Sequence, residues 1–206
     1  MNILITGGTG RLAFELKKHL KGEYVGIEHW DFTYWQQIPD KKYDLILHMG
    51  AYTDVVLAEK QPQKCFLANA FGTFNMVQKY KDTPFVYIST EYARNPLGVY
   101  ASTKQLGEEI VKTHPHHLIL RTLFKPVPFP FPYAYEDQWT NGDSVDIIAE
   151  LLAKWVKEWD RKTSELRYLG TGRKTILDIA RKTRPDVLPN KVEDYQYAYL
   201  VPKDYE

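Results

Sequence analysis

Two side chains suited to proton transfer stand four residues apart at the start of a helical pattern. Tyr100 and Lys104 belong to the run Tyr-Ala-Ser-Thr-Lys, and residues at this spacing share one face of a helix. A nearby ammonium favours the phenolate, so we expect Lys104 to lower the pKa of Tyr100 towards neutrality. Thr90 and Ser89, at the end of an upstream strand, are placed to hydrogen-bond the same substrate oxygen. These residue types together indicate chemistry on a carbonyl group.

The chain opens with an apolar strand that runs directly into a glycine-rich turn and then into a helix. The turn contains Gly7 and Gly10, and Ala13 is a third small residue where the helix packs on the strand. Glycines at these positions let the backbone approach a pyrophosphate, whose charge is met by amides at the start of the helix. The segment therefore predicts a dinucleotide site.

The sequence contains features that favour NAD and features that favour NADP. Glu28 is predicted to end the second strand, where a carboxylate accepts a hydrogen bond from the ribose 2′-hydroxyl and repels a 2′-phosphate. Arg11 and His29 stand close enough in the sequence to meet a 2′-phosphate. Both coenzymes therefore stay open.

Two other chemically conspicuous features are interpreted as structural. Cys65 is the single cysteine, which excludes an intramolecular disulfide, and we expect it to be buried as a small apolar residue. The histidines at 114, 116 and 117 have no companion carboxylate, so they predict an exposed turn rather than a metal site. No metal is predicted.

Composition excludes several classes of function. The 206 residues include 27 Lys and Arg against 26 Asp and Glu, a balance that argues against nucleic acid as a partner. No apolar run approaches about 18 residues, the length of a membrane span. A strand that starts at the third residue leaves no room for a signal peptide. We expect a cytoplasmic protein, with no membrane partner, that acts on a small molecule.

Apolar runs alternate with amphipathic stretches, a pattern typical of a parallel sheet covered by helices. We predict an α/β, Rossmann-type, doubly wound parallel sheet at 1–123, which binds NAD(P), and a small, shortened substrate lobe at 124–206 that returns one strand and one helix to the sheet. The proline-rich stretch 125–133 suits neither a helix nor a central strand. The predicted strands are 2–6, 24–28, 45–49, 85–89, 118–122 and 166–169, and the predicted helices are 11–20, 62–80, 100–113, 145–159 and 176–183.

Six segments, in this order along the first 125 residues, carry a family resemblance. They are 6–10, 50–59, 69–75, 88–92, 100–104 and 120–122. In these segments the chain resembles the extended short-chain dehydrogenases/reductases, and most closely the dTDP-4-dehydrorhamnose reductase group. The resemblance implies an NAD(P)-dependent reductase of a nucleotide-linked 4-keto sugar.

The resemblance also implies a role for each matched residue. Thr90 and Tyr100 would hold the substrate carbonyl, with Tyr100 donating the proton. Lys104 would bind the nicotinamide ribose and tune Tyr100. The implied cofactor contacts are Gly7, Gly10, Arg11, Leu12, Glu28, Asp31, Ala51, Tyr52, Thr53 and Lys104, and the implied substrate contacts are Ser89, Glu91, Tyr92 and Arg121.

The same residues also bear on other activities of the superfamily. Dehydratases of the superfamily usually carry an Asp-Glu pair after the threonine, whereas Thr90 is followed by Glu91 and Tyr92, so dehydration is disfavoured. A sugar-nucleotide 4-epimerase stays open, as does a non-catalytic NAD(P)-binding regulatory subunit similar to that of methionine adenosyltransferase. The C-terminal region is shorter than in these reductases, which leaves the sugar and nucleotide open. A homodimer is expected on general grounds only.

Overall fold

A six-stranded parallel sheet forms the centre of the molecule. The computed structural model describes residues 1–205, whose strands are β1 Ile3–Thr6, β2 Glu23–Val25, β3 Leu45–His48, β4 Phe85–Thr90, β5 His117–Thr122, β6 Phe124–Lys125, β7 Tyr133–Tyr135, β8 Trp139–Thr140, β9 Asp143–Ser144, β10 Glu165–Tyr168, β11 Lys174–Thr175 and β12 Leu188–Asn190. The sheet order is β10-β5-β4-β3-β1-β2, so its winding reverses between β1 and β3. This confirms the predicted α/β fold, and ligands of such sheets bind at the reversal point.

Helices cover both faces of the sheet. They are α1 Arg11–Leu16, α2 Val55–Lys60, α3 Pro62–Phe66, α4 Gly72–Lys79, α5 Gly98–Lys112, α6 Val145–Glu158 and α7 Ile176–Thr183, and a π-helical segment, Leu67–Phe71, joins α3 to α4. The strands alternate between two cores: Ile3 and Ile5 pack with α1 and α6, whereas Leu4 packs with α4 and α5. Burial on both faces explains why the strands read as continuous apolar runs.

The C-terminal part of the chain contributes to the sheet and also builds a small core of its own. β10 pairs in parallel with β5, and this is the strand predicted at 166–169. The separate small core contains Phe129, Ile176, Ile179 and Val187. Helix α7 has the predicted bounds because Thr175 and its third helical residue form a capping box.

Three predicted elements differ from the structure by more than two residues or by an internal break. The second strand ends at Val25 rather than at residue 28, because a turn follows in which the His29 amide donates to the Gly26 carbonyl at 3.0 Å. The helix predicted over 11–20 ends at Leu16, and the helix predicted over 62–80 is divided by the π-helical segment. Helix α2 was not predicted at all.

The tyrosine-rich tail, unassigned from sequence, returns to the sheet domain. Leu200 is 1% exposed and packs against Gly98 at the start of α5. Beside it, the Glu59 carboxylate accepts a hydrogen bond from the Val99 amide at 2.5 Å. Among residues 1–205, no helix has the length and apolar character that crossing a membrane requires.

Candidate active site

A cavity of about 1220 Å³ lies at the carboxyl edge of the sheet, across the point where the winding reverses. Most of the sequence-predicted site residues line it. Those present are Gly7, Gly10, Arg11, Leu12, Asp31, Ala51, Tyr52, Thr53, Ser89, Thr90, Tyr92, Tyr100 and Lys104, whereas Glu28, Glu91 and Arg121 are not among the lining residues. The structure thus brings the glycine turn and the candidate catalytic residues to one cavity.

The glycine turn has the geometry of a phosphate cradle. Gly7 has φ +72°, and a Cβ built on it would lie 2.9 Å from the amide nitrogen of Gly50. Gly10 caps α1, and its amide donates to the Gly7 carbonyl at 2.9 Å. The space and the positive φ both require glycine at position 7, so the cradle fits a dinucleotide pyrophosphate.

An aromatic residue overlooked in the sequence shapes the adjoining wall. The Phe32 ring lies where side chains at Gly50 and Gly72 would otherwise stand. It also meets the His48 ring edge to face, with centroids 5.0 Å apart. Asp31, beside it, lines the cavity and accepts a hydrogen bond from the Thr33 amide at 2.8 Å. In the sequence, glycines at positions 50 and 72 signal a close neighbour, but they do not identify it as Phe32.

The loop after β3 is fixed by Asn69, a buried residue of the π-helical segment. Its side-chain oxygen accepts from the Tyr52 amide at 2.7 Å, and its nitrogen donates to the Tyr52 carbonyl at 3.1 Å. The same nitrogen reaches Thr103 and the buried Cys65, which confirms the structural interpretation of the cysteine. Asn69 therefore holds Tyr52 at the cavity from both backbone groups.

A buried histidine lies beneath the cradle. The Thr6 hydroxyl accepts from the amides of Met49 and Gly50 and therefore donates to His48 Nδ1 at 2.7 Å. On the other side, His48 Nε2 lies 3.2 Å from the Thr73 hydroxyl. Burial lowers the pKa of His48 to about 3, with the charge of Lys104 acting in the same direction. The neutral imidazole thus ties β1, β3 and α4 together.

Thr90, Tyr100 and Lys104 meet on the cavity wall. Lys104 is 2% exposed and donates to the Ile88 carbonyl at 2.7 Å, with its ammonium 4.0 Å from the centre of the Tyr87 ring. Burial lowers the pKa of Lys104 to about 7, although Glu108 acts in the opposite direction. The ammonium is therefore close to losing its proton at neutral pH.

The expected depression of the Tyr100 pKa is wrong for this structure. Burial raises the pKa of Tyr100 to about 12, and a hydrogen bond with Thr90 acts in the opposite direction. Lys104 does not stabilise the phenolate because its ammonium is directed to the Ile88 carbonyl and the Tyr87 ring. Tyr100 is accordingly protonated at neutral pH, the state from which a proton can be donated.

Arg121 is corrected from a substrate contact to an internal ion pair. Its guanidinium binds Glu108 through two hydrogen bonds of 2.8 and 2.6 Å, and Glu108 is fully buried. Ser89 donates to the same carboxylate at 2.5 Å, so its hydroxyl is engaged although the residue lines the cavity. A bidentate pair of this kind leaves little of the guanidinium for a substrate.

Glu91 is likewise corrected, because it joins the two parts of the chain instead of facing the cavity. Its two oxygens accept from the Thr140 hydroxyl at 2.6 Å and the Asn141 amide at 3.0 Å. Burial raises the pKa of Glu91 to about 7. Tyr92 lines the cavity, and its hydroxyl accepts from Gln138 at 2.8 Å.

Glu28 does not occupy the strand end predicted for a ribose contact. It lies in the exposed turn after β2, where its carboxylate packs over Gly26 and lies 3.0 Å from His29 Nδ1. Gly26 and Ile27 line the cavity in its place. The prediction failed because the apolar Ile27 made the strand pattern look longer than it is.

The prediction of an exposed turn for the histidines is wrong for two of the three. His114 and His117 are 2% and 8% exposed, whereas His116 is exposed as predicted. His114 Nε2 lies 3.2 Å from the Tyr80 carbonyl, and His117 Nδ1 lies 2.7 Å from the His114 carbonyl. Within residues 1–205, no three His, Cys, Asp or Glu side chains stand close enough together to hold a metal ion.

Solved structures share this architecture. The dTDP-4-dehydrorhamnose reductase from Bacillus anthracis in complex with NADP superposes with a TM-score of 0.83 at 22% identity, covering 98% of this chain and 88% of that one. The corresponding protein from Clostridium acetobutylicum gives 0.83 at 25% identity, over 100% and 89%. The UDP-glucuronic acid 4-epimerase from Bacillus cereus, in complex with UDP-glucuronic acid and NAD, gives 0.73 at 18% identity, over 99% and 89%.

Proteins similar in sequence include the same group of reductases as the solved structures. The dTDP-4-dehydrorhamnose reductase of Sinorhizobium fredii is 27% identical over 147 residues, covering 59% of this chain and 50% of that protein. Its Salmonella typhimurium counterpart is 29% identical over 151 residues, with the same coverage. The matched region thus spans about half the length of these relatives. Residues 1–124 match the family model described as the RmlD substrate binding domain, and the chain belongs to that family.

Proposed function

We propose that this protein is an NAD(P)-dependent reductase of a nucleotide-linked 4-keto sugar. The observation that carries the proposal is the meeting of Thr90, Tyr100 and Lys104 in the same cavity as the glycine cradle. Sequence relatives that are dTDP-4-dehydrorhamnose reductases support the same class of substrate. The reaction would add a hydride and a proton across the carbonyl.

The cradle supports a dinucleotide as the cofactor. Gly7 and Gly10 would face its pyrophosphate, and Leu12 and Arg11 follow at the start of α1. Asp31 and the loop 51–53 would line the rest of the dinucleotide. When bound, NAD(P)H supplies the hydride, and the protein supplies position and electrostatics. Both NADP and NAD occur in the structural relatives, so the choice between them stays open.

Tyr100 would donate the proton to the carbonyl oxygen. Its pKa of about 12 keeps it protonated through the neutral range, and Thr90 would hold the same oxygen through its hydroxyl. Transfer of the Tyr100 proton would give the alcohol and leave a phenolate, which would take a proton from solvent before the next turnover. The Lys104 ammonium would bind the nicotinamide ribose. The proton thus comes from a group that burial holds in its acid form.

The test is coenzyme oxidation followed at 340 nm with dTDP-4-dehydrorhamnose, in separate assays with NADH and NADPH. We expect wild type to oxidise one of them and Tyr100→Phe to lose that activity. Tyr133→Phe removes the same atom from an exposed residue outside the cavity and should behave as wild type. Confirmed coenzyme binding without oxidation would contradict the proposal and would favour the epimerase or the regulatory subunit.

The homodimer and the division of the chain at residue 123 remain predictions.

A further inference from the structure

Helix α5, which carries Tyr100, begins without a cap from its own segment. Its first residue, Gly98, has φ +79°, and Tyr100 is the third residue of the helix. Leu97 occupies the N-cap position, but its side chain forms no capping hydrogen bond. The first amides of a helix have no partner within the helix. The turn that bears Tyr100 must therefore be fixed by another part of the chain.

Glu59, in the last turn of α2, supplies the cap. Its carboxylate accepts a hydrogen bond at 2.5 Å from the amide of Val99, the residue before Tyr100. A carboxylate at this end of a helix also interacts favourably with the helix dipole. Glu59 and Val99 are 40 residues apart, so no local pattern in the sequence indicates the contact.

The C-terminal tail covers this contact. Leu200 is 1% exposed, and a Cβ at Gly98 would collide with both the Leu200 side chain and the Glu59 carboxylate. Only glycine therefore fits at position 98. Because Leu200 restricts access of water, the hydrogen bond between Glu59 and the Val99 amide lies in a less polar environment, where it is stronger.

The second turn of α5 is held by different groups. The Thr103 hydroxyl accepts from the Asn69 side chain at 3.1 Å, and Lys104 donates to the Ile88 carbonyl at 2.7 Å. The contact of Glu59 lies one turn earlier, next to Tyr100. It can therefore affect the position of Tyr100 without displacing Lys104.

The start of α2 is also fixed independently of Glu59. Asp54 caps this helix by accepting from the Leu57 amide at 2.8 Å, directly after the loop 51–53 that lines the cavity. A substitution at Glu59, at the other end of α2, should therefore leave that loop in place. Effects of Glu59 on Tyr100 and on coenzyme binding can consequently be separated.

We propose that Glu59 is a positioning residue for Tyr100, an inference that rests on the proposed function. By capping α5 from α2, Glu59 fixes the first turn of the helix and so holds the Tyr100 phenol beside Thr90 on the cavity wall. Misplacement of a reacting group by about 1 Å can slow a reaction by about 10²-fold. Loss of the cap should therefore slow proton transfer more than it weakens binding.

The experiment is single-turnover reduction of dTDP-4-dehydrorhamnose at saturating coenzyme. Glu59→Ala should be slower than wild type by about 10- to 100-fold, with unchanged coenzyme affinity. Glu59→Gln keeps an oxygen that can accept from the Val99 amide, so its rate should be within about threefold of wild type. This rescue by the conservative variant separates positioning from a general loss of stability.

Asp178→Ala is the matched control. Asp178 belongs to the capping box of α7, a helix that contributes no residue to the cavity lining, so the variant also loses a helix-capping carboxylate. Its unfolding free energy should fall by about the same amount as that of Glu59→Ala, about 1 kcal/mol. Its single-turnover rate should equal that of wild type.

Hydrogen exchange of the Val99 amide, followed by NMR without coenzyme or substrate, tests the cap itself. Exchange should be about fivefold faster or more in Glu59→Ala than in wild type. Unchanged exchange would overturn the inference, whether or not wild type reduces the sugar.

Three kinetic outcomes would also overturn it: a wild-type rate in Glu59→Ala, an equal loss in Glu59→Gln, or an equal loss in Asp178→Ala. Each of these requires reduction by wild type, so it contradicts this inference alone. Absence of reduction by wild type would contradict the proposed function, and Val99 exchange would then decide the cap by itself.

Discussion

The two ends of the cavity are built in different ways. At the cradle end, β1, the glycine turn and α1 follow one another within residues 3–16, and backbone geometry does most of the positioning. At the opposite end, Glu91 reaches Thr140 and Asn141, and Tyr92 reaches Gln138, all across more than 40 residues of sequence. The first end is local and rigid, whereas the second depends on buried polar contacts between distant segments. Substitutions at the cradle end should therefore affect coenzyme binding, whereas substitutions at the opposite end should affect the stability of the contacts between distant segments.

The largest effect is expected between the two ends, at Tyr100. Removing a positioned proton donor by Tyr100→Phe should reduce turnover by about 10²- to 10⁴-fold. Because the hydroxyl lies away from the cradle, coenzyme affinity should be unchanged, which equilibrium titration would verify. A parallel loss of coenzyme affinity would show that the ends are not separable at this residue.

Gly7→Ala breaks the cradle end. The substitution forces an alanine to φ +72° and places its Cβ against Gly50, so we expect about 4 kcal/mol lower unfolding free energy and loss of coenzyme binding. Gly172→Ala is the matched control, since Gly172 also has positive φ, +98°, but no atom lies within 4 Å of the added Cβ. The control should show backbone strain with normal coenzyme affinity in the same titration. Equal coenzyme affinity in both variants would refute the cradle.

Glu91→Gln tests the opposite end of the cavity through the pH dependence of the unfolding free energy. The pKa of Glu91 is about 7 in the folded protein, above its ordinary 4.5, so between these values only the folded chain keeps the proton. Unfolding free energy should therefore fall as pH rises through this window, by at most about 3 kcal/mol from this group. Glu91→Gln lacks the titration, so its stability relative to wild type should increase from pH 5 to pH 8.

Urea unfolding at both pH values measures this difference. Glu150→Gln, on the exposed side of α6, should change nothing between the two pH values relative to wild type. Parallel pH profiles for wild type and Glu91→Gln would mean that the Glu91 carboxylate is not desolvated as the fold requires.

The smallest effect is expected at Glu28. Its carboxylate is exposed and outside the cavity lining, so Glu28→Ala should alter the ratio of NADH to NADPH affinity by less than about fivefold. A reversal of coenzyme preference would instead restore Glu28 as the residue that reads the ribose.

The contrast between the ends also explains what could be predicted from sequence. Gly7 and Gly10, the buried strands, and the Tyr100 and Lys104 spacing are local patterns. They were sufficient for the fold, and most of the predicted site residues line the cavity. Arg121 and Glu91 could not be placed, because their partners are fixed by tertiary contacts that no local spacing encodes. A charged residue beside a catalytic segment looks like a ligand until its counter-ion is known.

The charge and pKa of the catalytic residues also depend on contacts that the sequence does not show. Helical spacing placed Lys104 on the same face as Tyr100, but it could not reveal the competing Ile88 carbonyl and Tyr87 ring that hold the ammonium. Burial then decides the pKa of Tyr100, and burial is a property of the whole fold.

Carbonyl reduction in this cavity is tested most directly by transfer of deuterium from coenzyme labelled at C4 of the nicotinamide to dTDP-4-dehydrorhamnose, followed by mass spectrometry. We expect wild type to place one deuterium on the former carbonyl carbon for each coenzyme oxidised, and Tyr100→Phe to place almost none. An isomerised sugar without net coenzyme oxidation, or no transfer although coenzyme and dTDP both bind, would contradict the assignment of this cavity to carbonyl reduction.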